Sequence, residues 1–146
     1  MSRGLDRELL AEKAGAVERH LRRVQARLPA SADEFEPASD ASDAVVLHLW
    51  QATQLVIDVA LSACLRLDLG APPTYADAFD RLAGAGIIDA DLRDRLVRAT
   101  GFRNVLVHAY EQLDLSRVHA AAQQGPQDLR RFLAAVRDRL ADDGEG

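Results

Sequence analysis

Four polar residues in the second half of the chain are spaced so that an α-helix would separate them from their apolar neighbours. They are Arg103, Asn104, His108 and Tyr110. At ~100° per residue, with Arg103 as the origin, Asn104 falls at ~100°, His108 at ~140° and Tyr110 at ~340°. The sector from ~200° to ~300° carries only apolar residues, namely Phe102, Val105, Leu106 and Ala109, while Val107 is the one apolar residue among the polar group. The spacing therefore predicts a helix with one packing face and one face that presents functional groups.

This set of side chains suits the cleavage of RNA without a metal ion. A histidine titrates near neutral pH, so His108 can take the proton from a ribose 2'-hydroxyl or give one to the leaving 5'-oxygen. Arginine is permanently charged and holds phosphate oxygens with a planar fork of donors, which is the role predicted for Arg103. Asn104 lies on the same side as His108 and can orient the imidazole or bond a phosphate oxygen. We therefore predict that Arg103 and His108 are catalytic and that Asn104 supports them.

In-line cleavage needs both a base and an acid, whereas this segment supplies one histidine. A two-fold dimer would solve this, because two copies of His108 and Arg103 would then share one cleft. Residues 93–103 contain four arginines against one aspartate, a local charge of +3 that attracts phosphate. These arginines are Arg93, Arg95, Arg98 and Arg103. We therefore expect a composite RNA cleft in a homodimer, although the whole chain has a net charge of -5.

The rest of the chain must supply the elements that position this segment. Of its 146 residues, 48% are hydrophobic but only 5% are aromatic, so Leu, Val, Ile and Ala must build the core. Such a composition favours helices. We predict an all-α, up-and-down bundle of about five to six helices in a single domain over residues 1–141, followed by a frayed acidic tail at 142–146.

Capping residues, glycines and prolines divide the chain into six predicted helices. The predicted spans are about 5–28, 43–69, 75–84, 90–110, 115–125 and 126–141. Thr74 opens the third helix with a capping box, and Asp89 caps the fourth. Gly125 closes the fifth helix, and Pro126 is the first residue of the sixth.

The second predicted helix is the most apolar and is expected to lie at the centre of the bundle. Its cap is Asp40, Ser42 or Asp43. Polar residues interrupt the apolar stretch at 44–69, which makes it too polar for a membrane span. A helix this apolar is expected to be surrounded by neighbouring helices.

Composition also limits the class of protein. Cys64 is the only cysteine, so neither an intramolecular disulfide nor a cysteine-rich zinc site can form. No spacing of His, Asp and Glu predicts a metal site, and we expect no cofactor. The first residues mix both charge signs and lack the apolar core of a secretory signal. A cytoplasmic protein without a membrane partner is therefore expected.

The run RNVLVHAY at residues 103–110 resembles the R-x4-H-x-Y signature of HepT-like toxins of the HEPN superfamily. Arg103, His108 and Tyr110 match the signature, and Asn104 supplies the polar residue that usually follows the arginine. The similarity extends to three longer stretches, at 48–60, 72–88 and 96–114. It covers most of residues 40–140, and the acidic loop at 30–41 is the least similar part.

The resemblance implies more than the residues alone indicate. It implies a dimeric toxin of a type II/VII-like toxin–antitoxin system, a metal-independent endoribonuclease that acts on RNA, with tRNA as the expected target, by 2'-hydroxyl transesterification. The implied partner is an MNT-type nucleotidyltransferase antitoxin, within a larger hetero-oligomer. This partner would use ATP to attach AMP to the motif tyrosine, here Tyr110. An added phosphodiester beside Arg103 would compete for the phosphate site and block the cleft.

Other interpretations of the same residues remain open. An R-x4-H spacing is common by chance, and a histidine near a helix end more often serves as a cap or surface residue. Tyr110 by itself would more often pack against its neighbours. The alternative function is a non-catalytic helical adaptor, or recognition partner, of a nucleotidyltransferase. We interpret Asp58 as bonded across helices, His48 as a satisfied histidine between helices, and His20, His119 and the arginines of the last helix as solvated.

Overall fold

The structure, a computed structural model, describes residues 4–108 and 114–145. Within these ranges it contains five α-helices, one short 3-10 helix and no β-strand. The α-helices are α1 (Arg7–Arg27), α2 (Asp40–Arg66), α3 (Tyr75–Gly84), α4 (Ala90–His108) and α5 (Leu115–Glu145), and the 3-10 helix is Ala32–Glu34. The predicted all-α class is confirmed.

Side-chain caps set the starts of the helices. Asp6, Thr74 and Asp89 each accept a hydrogen bond from the backbone N–H three residues further on, at 2.7, 3.1 and 2.7 Å. α2 is capped by Ser39, which exchanges bonds with Ser42 in a capping box. The predicted cap at residue 40, 42 or 43 is wrong, because the serine pair satisfies two backbone N–H groups at once.

α5 runs without a break from Leu115 to Glu145, so the predicted division into two helices at Gly125 is wrong. Pro126 lies inside the helix and removes one backbone hydrogen bond. Pro126 is nevertheless buried, as are Ala122 and Leu129 on either side of it. Packing against the bundle therefore outweighs the local preference for a break. The helix also continues past residue 141, where we predicted that it fades.

α2 lies at the centre of the bundle and packs against each of the other four α-helices. Cys64 is fully buried on it, and its Sγ donates a weak hydrogen bond to the carbonyl of Ala78 on α3 at 3.6 Å. Among the described residues, α2 is the one helix long and apolar enough to cross a membrane, and half of its most apolar stretch is buried inside the protein. It is the core helix of the bundle, as predicted.

The main hydrophobic cluster draws residues from all five α-helices. Leu21, Val56, Phe79, Leu96 and Phe132 represent α1 to α5 in chain order, and none is more than 1% exposed. The rings of Phe79 and Phe132 meet edge to face with centroids 5.6 Å apart, a favoured aromatic geometry. This cluster fixes α4 against the rest of the bundle.

A smaller cluster fastens the acidic loop between α1 and α2. Phe35 inserts from this loop beside Val45 of α2 and Val118 of α5. His119 of α5 is only 6% exposed, and its Nε2 lies 2.7 Å from the carbonyl oxygen of Pro29. The prediction that His119 is solvated is therefore wrong, because the loop folds over it and supplies its hydrogen-bond partner.

Candidate functional site

A cavity of about 380 Å³ opens between α2, α4 and α5. Apolar and neutral residues from the three helices form part of its wall. Its charged lining consists of Arg95, Arg98, Arg103, Arg117 and Asp128. Four guanidinium groups against one carboxylate make this cavity strongly basic in a chain whose net charge is -5. Such a concentration of arginine is the local chemistry that binds phosphate groups.

The helical period of α4 explains why three of these arginines share one wall. The positions of α4 that line the cavity are 95, 98, 99, 102 and 103. Their separations of three and four residues place them on one face of the helix. Another face of α4 packs against the core through Leu92 and Leu96, which are buried. The predicted clustering of Arg95, Arg98 and Arg103 is confirmed.

Arg93 was expected in the same basic cluster, but it does not line this cavity. Its Nη1 donates to the carboxylate of Asp80 on α3, and its Nε lies 2.8 Å from Oδ1 of Asp94. Its position in the helix turns it toward α3 and away from α5. Arg93 therefore ties α4 to α3 and adds no free charge to the site.

Arg103 of the predicted catalytic pair lines the cavity and is half-buried. Its guanidinium carbon lies 5.5 Å from the centroid of the Tyr75 ring, at the start of α3. This distance is within the range of a cation–π interaction, which restrains the guanidinium without neutralising its charge. Sequence reasoning did not identify Tyr75, because only the packing of α3 on α4 brings it to Arg103.

Two further charged residues of the cavity come from α5 and were also missed. The guanidinium carbon of Arg117 lies 5.9 Å from the centroid of the Phe102 ring. Asp128 is 9% exposed, and its Oδ2 lies 3.7 Å from Nη1 of Arg95. A helical projection of α5 groups 117, 121, 124 and 128 on one face. Nothing in the local sequence indicates that this face meets α4.

The remaining predicted site residues follow Arg103 along the chain. α4 stays helical through His108, so the predicted helix that carries Arg103, Asn104 and His108 is confirmed in its backbone. A rise of ~1.5 Å per residue separates Arg103 and His108 by ~7.5 Å along the axis. Tyr110 lies outside the described residues. The roles of Asn104, His108 and Tyr110 stay predictions.

A histidine pair lies between α1 and α2, away from the cavity. Nδ1 of His20 and Nδ1 of His48 are 2.9 Å apart, a contact that requires one nitrogen to donate and the other to accept. Burial lowers the pKa of both imidazoles, and nearby positive charge, including that of Arg23, lowers it further. The interpretation of His48 as a satisfied histidine is confirmed. The interpretation of His20 as solvated is wrong, since it is the partner of His48.

Asp58 is bonded within its own helix. Its Oδ1 accepts a hydrogen bond from Nε2 of Gln54, one turn earlier on α2, at 3.0 Å. The predicted bond across helices is therefore replaced by a local one. Across residues 4–108 and 114–145, no three His, Cys, Asp or Glu side chains are arranged to hold a metal ion. The expectation of a metal-free site stays a prediction.

The helical fold and the motif-bearing helix α4 agree with the class of protein that the sequence resembles, the HepT-like proteins of the HEPN superfamily. The sequence matches the family described as Ribonuclease HepT-like over residues 17–136. The chain therefore belongs to the HepT-like family.

Relatives of known name support this membership. The mRNA nuclease HepT of Shewanella oneidensis is 27% identical over 130 residues, which are 89% of this chain and 97% of that protein. The solved structure of the tri-AMPylated Shewanella oneidensis HEPN toxin in complex with an MNT antitoxin aligns with a TM-score of 0.79 at 27% identity. It covers 88% of this chain and 96% of the toxin.

The same fold is also found in a solved structure of lower sequence identity. The cytosolic protein YutE from Bacillus subtilis aligns with a TM-score of 0.78 at 18% identity, covering 95% of this chain and 93% of its own. At this identity the likeness concerns the fold alone. The helical arrangement is therefore kept while most side chains differ.

Proposed function

We propose that this protein is the toxin of a toxin–antitoxin pair and acts as a metal-independent endoribonuclease through Arg103 and His108. One observation carries the proposal: Arg103, the first residue of the R-x4-H-x-Y motif, lines an arginine-rich cavity in a chain of the HepT-like ribonuclease family. The motif and a cavity whose charge suits an anion thus share Arg103, which supports the proposal. The protein is proposed to act in the cytoplasm.

The proposed reaction is an attack by the ribose 2'-hydroxyl on the adjacent phosphorus. One His108 removes the hydroxyl proton as the new P–O bond forms, and a second His108 protonates the 5'-oxygen as the old P–O bond breaks. The products are a 2',3'-cyclic phosphate and a 5'-hydroxyl end. Arg103 stabilises the charge that builds on the phosphate oxygens, and Asn104 orients the imidazole. The two histidines come from the two subunits of a homodimer.

The catalytic assignment predicts a selective loss of cleavage when His108 is replaced. His108→Ala should lower the cleavage rate by 10²- to 10⁴-fold, the range expected when a general acid–base group is removed. Arg103→Ala should cause a similar loss, because phosphate charge is then left uncompensated. The measurement is cleavage of purified tRNA and mRNA, with the fragment ends examined for 2',3'-cyclic phosphate.

The control for this assay is Arg137→Ala. Arg137 is an exposed arginine of α5 that does not line the cavity, and among the described residues its ion pair is with its neighbour Asp138. It should cleave like the unchanged protein. Equal cleavage by the His108→Ala variant would remove the proposed mechanism. The mRNA arm is included because a relative is named as an mRNA nuclease, whereas tRNA is the target implied by the family resemblance.

Regulation is proposed to act through Tyr110. An MNT-type nucleotidyltransferase would transfer AMP from ATP to the Tyr110 hydroxyl, with release of pyrophosphate. The added nucleotide places a phosphate anion near the site that Arg103 offers to RNA. A solved relative is both AMPylated and bound to an MNT antitoxin, which supports this proposal.

The acceptor assignment predicts a mass increase that depends on one tyrosine. After incubation with an MNT-type enzyme and ATP, intact-mass spectrometry should detect one or more added AMP units on the unchanged protein and none on Tyr110→Phe. Tyr75→Phe is the matched control, because Tyr75 is the only other tyrosine. AMP addition to the Tyr110→Phe variant would exclude Tyr110 as the acceptor.

The second candidate function, a non-catalytic adaptor of a nucleotidyltransferase, makes a different prediction. It requires binding to the partner enzyme but no cleavage of RNA. An unmodified protein that binds the nucleotidyltransferase and leaves both RNA pools intact would favour it. The arginine-rich cavity does not separate the two candidates, because arginine is also enriched at protein–protein interfaces. The cleavage assay decides between them.

A further inference from the structure

We propose that the cavity between α2, α4 and α5 is a nucleotide subsite in which Arg98 and Arg117 hold the phosphate of one nucleotide and Phe102 stacks on its base. The proposal deepens the proposed function and rests on it for RNA as a source of that nucleotide. It adds two binding residues, Arg98 and Arg117, that lie outside the R-x4-H-x-Y motif.

The arginines of the cavity differ in whether a carboxylate is paired with them. Arg95 is held by carboxylates, with Nε 3.1 Å from Asp91 and Nη1 3.7 Å from Asp128. Within residues 4–108 and 114–145, neither the Arg98 nor the Arg117 guanidinium forms an ion pair or hydrogen bond. Both side chains are exposed and line the same cavity.

Two cations at one cavity without a carboxylate partner repel each other, and a bound anion relieves this repulsion. A phosphate group also satisfies the donors of both guanidinium groups, since arginine binds phosphate oxygens through two parallel N–H donors. Arg98 comes from α4 and Arg117 from α5. A phosphate between them would bridge the two helices.

The apolar part of the wall suits a base. Phe102 is half-buried and lines the cavity, and the Arg117 guanidinium carbon lies 5.9 Å from its ring centroid. Unpaired bases stack on aromatic rings and on guanidinium planes. An aromatic ring beside an arginine therefore matches the two halves of a nucleotide, a flat base and a charged phosphate.

The size of the cavity limits the ligand to about one nucleotide. Its volume of about 380 Å³ is at the lower end of the ~300–1,000 Å³ typical of small-molecule sites. A double helix does not fit such a volume. Two sources share the required chemistry: a nucleotide of the RNA substrate, and the AMP attached to the protein by the antitoxin.

Binding of 5'-AMP is the first test. In the ¹⁵N-labelled protein, the Nε–Hε signals of the cavity arginines should shift on titration with 5'-AMP. Adenosine, which lacks the phosphate, should bind at least tenfold more weakly. Arg98→Ala and Arg117→Ala should each weaken AMP binding by about tenfold, and raising the salt concentration should weaken it further.

Arg137→Ala is the matched control and should bind AMP like the unchanged protein. Both cavity arginines are exposed, so their replacement should leave the fold intact, which the spectra themselves report. Unchanged AMP binding in the Arg98→Ala, Arg117→Ala double variant would overturn the subsite. So would an equal loss of binding in the Arg137→Ala control.

Cleavage kinetics separate the two sources of the nucleotide. If RNA fills the subsite, the two cavity variants should raise KM for an oligoribonucleotide about tenfold and leave kcat within twofold. An unchanged KM together with lost AMP binding would assign the subsite to the attached AMP. If the unchanged protein does not cleave RNA, the ribonuclease proposal is refuted. The nucleotide subsite is tested separately, by AMP binding.

Discussion

At the scale of single residues, the arginines of α4 and α5 divide into those that hold the fold and those that face the cavity. Arg130 donates two hydrogen bonds to Glu18, at 2.9 and 2.8 Å, which join α5 to α1 and lower the pKa of that carboxyl group. The prediction of a solvated face is therefore wrong for Arg130. Arg98 and Arg117 are the opposite case, since they keep their charge available to a ligand.

The histidine pair between α1 and α2 should make stability depend on pH. Because the folded-state pKa values of His20 and His48 are lowered, the unfolded chain binds more protons as the pH falls through the ordinary histidine value of 6.5. Stability contributed by the pair is present above that pH and is lost below it. The urea concentration at the midpoint of unfolding should therefore be lower at pH 5.5 than at pH 7.5.

A double variant isolates this effect. His20→Gln with His48→Gln can keep a hydrogen bond but cannot titrate, so its urea midpoint should change less over the same pH range. The positively charged neighbours Arg19, Arg23 and Arg27 are common to both proteins and cancel in the comparison. An equal loss of stability in the double variant would show that other groups cause the pH dependence.

At the scale of elements, α5 shows how packing overrides local sequence. Gly125 and Pro126 together predict a break, yet the helix continues because both residues face the bundle. A Cβ added to Gly125 would lie 3.7 Å from Cδ1 of Leu49, which is ordinary contact. Gly125 is therefore kept helical by its neighbours, in spite of its own low helix propensity.

This interpretation predicts that Gly125→Ala stabilises the protein by about 0.5–1 kcal/mol, the usual difference between the two residues inside a helix. Urea denaturation measures the change. Gly70→Ala is a control of opposite sign, because Gly70 has φ +83° and an added Cβ would lie 2.8 Å from Nη1 of Arg81. Destabilisation by Gly125→Ala would mean that α5 needs a flexible point there.

At the scale of the whole molecule, the proposed chemistry requires two copies of the chain. One His108 per subunit cannot act as both base and acid in a single step, so a monomer should be nearly inactive. We predict a sedimentation-equilibrium mass of twice the monomer and a specific cleavage rate that falls on dilution as dimers dissociate. Full activity in a sample that sediments as a monomer would contradict the shared site.

Much of the protein could be derived from local sequence. The helix starts at Thr74 and Asp89 depend on hydrogen bonds between residues three apart. The motif helix depends on a period of 3.6 residues. A short stretch of sequence is therefore enough to predict both. Local charge grouped Arg95, Arg98 and Arg103 together with Arg93, and the structure separates Arg93 from the other three. Recognition of the family needed only the motif and its flanking stretches.

Other features depend on which faces meet, and no short window contains that information. Tyr75 meets the Arg103 guanidinium only because α3 packs beside α4. Arg117 and Asp128 reach the cavity only because α5 packs beside α4. The same packing buries His119 under the loop and keeps α5 continuous through Pro126. The free energy of burial is a sum over many contacts between residues that are far apart in the sequence. It therefore outweighs local helix and turn preferences, which are what a short stretch of sequence reveals.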